Sequence, residues 1–242
     1  MNVLILMAGD SSFISTDGNY PLSLGEVEGK TVLQHLLAEC ANFPEAKLTC
    51  IVREEDIKRH HLDQVIHLLN PHASVLKIKN RTQGALCTAL LAAHIDSEES
   101  LLILSGNELI KQDLQRIIED FTARDLDAGT VVFNSVHPRY SFVKLDENGL
   151  VQEAAEKNPI SQWATAGFYW FKNGQDFMAA AKNTLRKDAH VNGIFYICPV
   201  FNELILQQKR VGSFAIGNHD YLPLKSEHQF QQATRNYSGH EL

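Results

Sequence analysis

The groups best suited to chemistry lie in three polar stretches that each follow an apolar run, at residues 9–20, 80–84 and 105–108. The first stretch begins with Gly9 and has the position of a phosphate-binding loop, in which backbone N–H groups approach phosphate oxygens and a basic side chain neutralises their charge. Asp10, Phe13 and Leu22 stand in this region, where further glycines and a basic residue are expected. This composition does not suit a site that holds a triphosphate.

The elements that must position these stretches alternate along the first half of the chain. Short apolar runs typical of buried strands cover residues 2–8, 47–52, 73–78 and 100–105. Segments with apolar residues at helical spacing follow them, at residues 31–40, 54–69, 84–95 and 113–125. This alternation predicts an α/β protein, a three-layer α/β/α sandwich with a mixed, mainly parallel sheet. Ligands of such sheets bind beyond the carboxyl ends of the strands, so the polar stretches are the predicted ligand site.

The second half has a different pattern, with strands joined by turns at residues 128–133, 140–146, 149–156 and 164–171. Helices are predicted at residues 174–187 and 199–208, and a last strand at residues 211–216. The stretch after residue 231 is polar and is expected to be frayed. We find no internal repeat and no linker rich in Pro, Gly or Ser, so residues 1–242 are predicted to form a single domain.

The composition restricts the class of protein. The 242 residues are 44% hydrophobic and 21% charged, which is typical of a globular chain with a large core. A net charge of −7 argues against nucleic-acid binding. No apolar run approaches the roughly 20 residues that span a bilayer, and the first run is too short for a signal peptide, so we expect a cytoplasmic protein. The four cysteines include no CxxC pair and are expected to be reduced core residues.

Several motifs follow one another in an order that resembles the sugar-phosphate nucleotidyltransferases, a family with a GT-A or Rossmann-like fold. In the first half, "LMAGDSSFI", "YPLSLGEVEGKTVLQH" and "RTQGALCTALLAA" are similar to the glycine loop, the segment that follows it and the base-reading turn. In the second half, "GLVQEAAEKNPIS" resembles the strand ending in Glu-Lys-Pro, and "ATAGFYWF" the Gly-x-Tyr strand. The segment "VNGIFYICPVFNELI" resembles the N-G-E-F-Y motif of the branch that acts in surface-polysaccharide synthesis.

The resemblance implies a reaction in which a nucleoside triphosphate and a sugar 1-phosphate give a nucleotide sugar and pyrophosphate. Such a transfer depends mostly on positioning and charge neutralisation, and in the family two aspartates hold Mg²⁺. The resemblance further implies a nucleotide-binding half at about residues 1–125, a sugar-phosphate-binding half at about residues 126–231 and a polar tail at residues 232–242. It assigns nucleotide binding to Ala8, Gly9, Gln83 and Gly84, sugar-phosphate binding to Glu156, Lys157, Gly167 and Asn192, and a metal ligand to Asp220.

Other family positions carry residues that lack the family's chemistry. The loop arginine falls at Phe13, the lysine after proline is Leu22, one metal-binding aspartate is Asn107, and the glutamate of N-G-E-F-Y is Ile194. One hypothesis is an active enzyme that uses Mg²⁺ and replacement residues. The other is a catalytically degenerate homologue that needs no cofactor and binds a ligand or a protein partner in a regulatory or structural role. A glycosyltransferase-like use of the fold is a third, and the absence of a DxD motif near Asn107 counts against a metal-dependent one.

Simpler interpretations stay open for several positions. They are a helix-starting turn for Gln83 and Gly84, a solvated pair for Glu156 and Lys157, and a surface acid for Asp220. Lys79 or Arg81 could supply a displaced positive charge beside the base-reading turn. An apolar helical surface at residues 195–206 could serve a homo-oligomer or a protein partner.

Overall fold

The computed structural model describes residues 1–9 and 20–238, and the predicted loop position Phe13 lies outside the described residues. The strands are β1 (Asn2–Leu6), β2 (Glu26–Val27), β3 (Lys30–Thr31), β4 (Lys47–Arg53), β5 (Ser74–Ile78), β6 (Leu101–Ser105), β7 (Glu108–Ile110), β8 (Ala128–Asn134), β9 (Ser141–Leu145), β10 (Val151–Glu156), β11 (Trp163–Phe171), β12 (Val211–Ala215) and β13 (Tyr221–Pro223). The helices are α1 (Val32–Cys40), α2 (Glu54–His60), α3 (Leu62–Leu69), α4 (Ala85–Leu90), α5 (Leu114–Ala123), α6 (Gly174–Arg186), α7 (Val200–Leu206) and α8 (Glu227–Ser238).

One mixed sheet of nine strands organises the described chain, in the order β10-β9-β11-β6-β1-β4-β5, with β8 paired to β11 and β12 paired to β8. The strands β6, β1, β4 and β5 are parallel, as the alternation of apolar runs and helices predicted. Strand β11 is antiparallel to β6 and joins the two halves of the chain. The predicted α/β architecture is therefore confirmed.

Strand β11 is shared between neighbours because it bends in its middle. Its first residues pair with β8 and β9, and its last residues pair with β8 and β6. The register against β8 shifts between Thr165 and Tyr169, and Gly167 between them has a left-handed φ of +62°. Strand β9 pairs with Ala164 before this point, and β6 pairs with β11 from Phe168 onward.

Helices cover both faces of the sheet and produce two hydrophobic clusters. On β1, Val3 and Ile5 face one cluster, which includes buried residues of α1, α3 and α5. Leu4 between them faces the other cluster, which includes buried residues of α4, α6 and α7. This alternation along a strand buried on both faces gives the predicted three layers.

The structure differs from the sequence prediction in three segments. The predicted helix at residues 54–69 is two helices, because His61 adopts a left-handed conformation with φ 51° and interrupts the helical ladder. The helix predicted at residues 84–95 ends at Leu90 and is followed by a short 3₁₀ turn, Ala93–Ile95. In the segment predicted to be a frayed tail, residues 232–238 instead form the end of α8, and the buried Ala233 packs against the core.

The apolar stretch at residues 195–206 lies mostly inside the molecule. Phe195, Cys198, Phe201 and Leu204 are buried in the second cluster, and Leu206 at the end of α7 is exposed. This stretch is therefore core, which corrects the expectation of an apolar interface there. In the described residues, no helix has the length and apolar character needed to cross a membrane.

Candidate functional site

A cavity of about 910 Å³ opens at the carboxyl ends of β1 and β6. The strands end side by side, with Leu6 paired to Ser105. Residues from all three predicted polar stretches contribute to its wall, together with residues at the ends of β9, β10 and β13. This cavity lies at the edge of the sheet where the sequence predicts the ligand site.

The turn before α4 forms one wall, and its backbone is fixed by the segment around Phe195. The Phe195 N–H donates to the Gln83 carbonyl at 2.7 Å, and the Leu86 N–H donates to the Phe195 carbonyl at 3.2 Å. Gly84 has φ +119° and presses against this segment, since a Cβ there would lie 2.2 Å from the Phe195 carbonyl oxygen. The turn thus holds Gly84 at the cavity wall in a conformation that requires glycine.

Glu156 ends the edge strand β10 and reaches the cavity from a buried position. Its residue is 8% exposed, and the Ser141 hydroxyl donates to its carboxylate from the neighbouring strand β9. The Asn202 side chain of α7 holds β10 in place by bonding both backbone groups of Ala154, at 2.8 Å each. Burial raises the pKa of Glu156, and this effect is opposed by the Ser141 hydrogen bond and by nearby lysines.

Lys157 follows β10 in a left-handed conformation, with φ 55°, and its N–H donates to the Tyr140 carbonyl at 3.0 Å. This turn directs its side chain toward Tyr196, with the ammonium 5.2 Å from the ring centre. Hydrogen bonding with Tyr196 raises the pKa of Lys157, so the side chain carries a positive charge at neutral pH. Lys157 is exposed on the cavity wall and is available to an anion.

Glu108 lies deeper, at the start of the short strand β7. Its side chain is 3% exposed, with the Lys225 ammonium 3.2 Å from its Oε2, and the Tyr221 hydroxyl donates to the same oxygen. The carboxylate covers Gly167, because a Cβ at Gly167 would lie 2.0 Å from Glu108 Oε1. The Glu108 carboxylate therefore occupies the Cβ side of Gly167, and the role of Gly167 in sugar binding stays a prediction.

The ladder between β7 and β13 decides which residues lie beside Asn107. Pro223 pairs with Glu108, and the Leu224 N–H donates to the Asn107 carbonyl at 2.9 Å. Asp220 lies at the other end of the ladder, where its carbonyl accepts from the Lys111 N–H at 2.7 Å. The strand rises about 3.3 Å per residue, so the distance along the ladder between Asn107 and Asp220 is too long for the two side chains to share one ion. The structure therefore does not support the predicted metal role of Asp220.

The donor set of the described residues does not fit Mg²⁺. This hard cation prefers carboxylate oxygens, and position 107 offers a neutral amide beside Pro223 and Leu224. The described cavity wall has two carboxylates, and both already have partners within the protein. Glu108 contacts Lys225 and Tyr221, and Glu156 accepts a hydrogen bond from Ser141. The described residues contain no cluster of three acidic, histidine or cysteine side chains that could hold a metal.

The charge of the cavity contrasts with that of the whole chain. Four basic side chains line it among the described residues, against two carboxylates, in a protein of net charge −7. The basic residues are Arg81, Arg139, Lys157 and Lys225. This balance favours an anionic ligand.

The predicted site residues divide into two groups. Those that line the cavity are Ala8, Gly9, Gly84, Asn107, Glu156, Lys157 and Ile194. Among the described residues, Leu22, Gln83, Gly167, Asn192 and Asp220 do not line it. Leu22 is 2% exposed and belongs to the hydrophobic core.

The sequence analysis did not single out Arg139, Ser141, Tyr196 and Lys225. The run "HPRYS" at residues 137–141, which directly precedes β9, carries a polar and basic composition that could have indicated the first two. Lys225 follows a strand of three residues, which is too short to show the alternation of apolar and polar residues by which a strand is predicted from sequence.

Comparison with known proteins gives a consistent result. Residues 19–212 match the family model described as nucleotidyl transferase, and comparison with curated proteins gives no match. The nucleoside-diphosphate-sugar pyrophosphorylase from Vibrio cholerae RC9 superposes with a TM-score of 0.79 at 20% identity, covering 97% of this chain and 100% of that one.

Two further solved structures are similar over their whole length. A UDP-glucose pyrophosphorylase complexed with UDP-glucose has a TM-score of 0.76 at 13% identity, covering 98% of both chains. The inositol-1-phosphate CTP transferase from T. maritima has a TM-score of 0.74 at 12% identity, covering 99% of this chain and 96% of that one. These likenesses show the fold, and the family model covers most of the sequence. The chain belongs to the nucleotidyl transferase family.

Proposed function

We propose that the protein binds a sugar 1-phosphate, or the nucleotide sugar related to it, as a homologue that has lost Mg²⁺-dependent nucleotidyl transfer. The observation that carries this proposal is the pairing of a basic cavity with a carboxylate set that is already bonded within the protein. The motif likeness of residues 191–205 supports a place for this ligand in surface-polysaccharide synthesis.

The size and the charge of the cavity support a ligand of this class. A volume of about 910 Å³ falls in the range of about 300–1,000 Å³ typical of small-molecule sites. Lys157 is exposed, positively charged and fixed beside Tyr196, so its ammonium can donate to a phosphate oxygen. Glu156 lies next to it, and its buried carboxyl group can bond to sugar hydroxyls.

The wall at Gly84 supports binding of a planar group such as a base. Its backbone comes to the surface without a side chain and cannot shift, because Phe195 bonds on both sides of it. Ile194 lies beside it, 40% exposed, and offers apolar contact. A rigid, partly apolar wall in the same cavity as Lys157 and Lys225 suits a ligand with one flat end and one phosphorylated end.

The proposed loss of transfer follows from the residues at the end of β6. Charge that grows on the phosphates during transfer must be neutralised, and removing one such group typically costs about 2.7–4 kcal/mol of transition-state stabilisation. Asn107 supplies no charge, and neither Pro223 nor Leu224 beside it can hold a cation through its side chain. The first loop contributes Phe13 where the family has an arginine.

The test is a binding and turnover panel with the full chain. Thermal shift and calorimetry would use the four common nucleoside triphosphates, several sugar 1-phosphates and the corresponding nucleotide sugars, each with EDTA and with MgCl₂. A ligand at a hundredfold excess over its Kd stabilises the native state by about 2.7 kcal/mol, which shifts the melting temperature measurably. We expect binding of a sugar 1-phosphate or a nucleotide sugar in EDTA, and no pyrophosphate release from any triphosphate and sugar phosphate.

A matched pair of variants connects binding to the cavity. Lys157→Met removes the ammonium at the wall, whereas Lys144→Met removes an exposed charge on β9 outside the wall. We expect weaker binding only for Lys157→Met. Pyrophosphate release with MgCl₂ would instead support the active-enzyme hypothesis, and the absence of any binding would refute the ligand-binding proposal.

A further inference from the structure

We propose that Lys225 is a built-in cation of this cavity, which contacts a phosphate of the ligand and makes its binding independent of Mg²⁺. This inference rests on the proposed function and names the group that neutralises the ligand. It concerns a residue that follows β13, in a part of the chain remote from Lys157.

Lys225 lies at the place where the chain passes the end of β6. The residue before it, Leu224, is bonded through its N–H to the Asn107 carbonyl at 2.9 Å. Lys225 lines the cavity, and its side chain is 31% exposed. The backbone therefore brings an ammonium group next to the position where a metal-binding carboxylate was expected and an amide is found.

Two contacts fix the ammonium from the protein side. Its Nζ is 3.2 Å from Glu108 Oε2 and 5.6 Å from the centre of the Tyr140 ring. Tyr221 donates to the same carboxylate and stacks on Phe133, with ring centres 4.2 Å apart. Both contacts come from largely buried groups, so Lys225 is held in place before any ligand arrives.

The geometry leaves donors for a ligand. A lysine ammonium has three N–H groups, and this one is ion-paired with the Glu108 carboxylate. The ring face of Tyr140 adds a cation–π contact. Because Lys225 lines the cavity with its side chain 31% exposed, its N–H groups can donate to a phosphate oxygen there.

The surrounding charges make this cation necessary for an anionic ligand. Lys225 acts on Glu156 as well as on Glu108, since its positive charge lowers the pKa of Glu156 against the effect of burial. A phosphate bound near Glu108 and Glu156 without Lys225 would lack the ammonium that pairs with Glu108. Lys225 thus adds to the positive charge that Lys157 brings to the cavity wall.

Calorimetry on three single variants tests the inference. Lys225→Met removes the cation, Lys225→Arg keeps it, and Lys144→Met is the matched control on an exposed part of β9. The probes are the panel of sugar 1-phosphates, nucleotide sugars and triphosphates, in EDTA and in MgCl₂. A hydrogen bond from a charged donor corresponds to about tenfold or more in affinity, so Lys225→Met should raise Kd by about that factor and Lys144→Met should not.

A second variant protects the test from a folding defect. Lys225→Met leaves the Glu108 carboxylate without its cation, and the double variant Glu108→Gln with Lys225→Met removes both charges together. We expect this double variant to fold, to bind about tenfold more weakly than wild type, and to have the same Kd in EDTA and MgCl₂.

The outcomes separate this inference from the proposed function. If the wild-type protein binds no member of the panel, the proposed function fails and this inference fails with it. If the wild-type protein binds but Lys225→Met and the double variant keep its Kd, only this inference is overturned. Wild-type binding that requires MgCl₂ also overturns it, whereas metal-independent binding that Lys225→Met weakens supports it.

Discussion

Replacing Gly84 by alanine tests the geometry of the turn that forms the rigid wall of the cavity. Gly84 has φ +119° and ψ 176°, a backbone region that is almost restricted to glycine and costs other residues about 1–3 kcal/mol. A Cβ at this position would also lie 2.2 Å from the Phe195 carbonyl oxygen. Because backbone atoms cannot move aside as a flexible side chain does, the turn and the Phe195 segment must separate in Gly84→Ala.

The size of the effect follows from what this separation breaks. Two backbone hydrogen bonds join the segments, from Phe195 N–H to Gln83 at 2.7 Å and from Leu86 N–H to Phe195 at 3.2 Å. Their loss costs about 1 kcal/mol each, in addition to about 2 kcal/mol of backbone strain. We therefore expect Gly84→Ala to lower the free energy of unfolding by about 4 kcal/mol.

Urea unfolding followed by circular dichroism measures this change, and two other glycines separate its causes. Gly29 has a left-handed φ of +71° with no described atom within 4 Å of a Cβ, so Gly29→Ala should cost only the strain, about 1–2 kcal/mol. Gly174 has no left-handed φ, but its Cβ would lie 1.9 Å from the Ile95 carbonyl oxygen. If Gly84→Ala destabilises the protein no more than Gly29→Ala does, the contact with Phe195 is not as described.

Three further predictions concern the metal position, pH and an ion pair. Asn107→Asp is expected to gain no Mg²⁺-dependent rise in melting temperature, because the ladder places Leu224 opposite it and the neighbouring Glu108 carboxylate is already paired with Lys225; such a rise would contradict this arrangement. Burial raises the pKa of Glu39 from its ordinary 4.5 to about 8, so the folded state keeps a proton that the unfolded chain releases. The free energy of unfolding should therefore fall as pH rises from about 4.5 to about 8. In urea titrations, Glu39→Gln should be more stable than wild type at pH 8 by about 1–3 kcal/mol and should show a weaker dependence of stability on pH. The same pH dependence in both proteins would refute the raised pKa of Glu39. Lys187→Met should lower the free energy of unfolding by about 1 kcal/mol, because the largely buried Glu203 carboxylate loses the ammonium that lies 2.7 and 2.9 Å from its two oxygens. The double variant Lys187→Met with Glu203→Gln should recover part of that loss in the same assay.

The sequence predicted well those features that depend on local periodicity. The apolar runs at residues 2–8 and 100–105 indicated buried parallel strands, and both became neighbours in the centre of the sheet. Since the carboxyl ends of such strands lie at one edge, the positions of Gly9 and Asn107 at the cavity followed from the strand pattern. The motif order added Glu156 and Lys157, which lie on the cavity wall.

The features that depend on distant pairing were not predictable in this way. Strands β7 and β13 have three residues each and lie more than a hundred residues apart, so neither shows a period that could reveal the ladder. The resemblance assigns a metal role to Asp220 because "DYLP" stands where the family has Asp-x-Gly-Thr, and the ladder is not visible in that comparison of motifs. The break at His61 depends on a left-handed residue that is not glycine, which no local rule indicates.

The β7–β13 ladder is hydrogen-bonded as a separate two-stranded sheet, apart from the nine-stranded sheet that carries Glu156. Substitutions at residues 107 and 223–225 therefore leave the register of the large sheet unchanged. Lys225 on the ladder side and Glu156 on the sheet side are therefore carried by separate pieces of hydrogen-bonded backbone. A substitution on one piece can alter its contribution to the cavity while the residues of the other keep their positions.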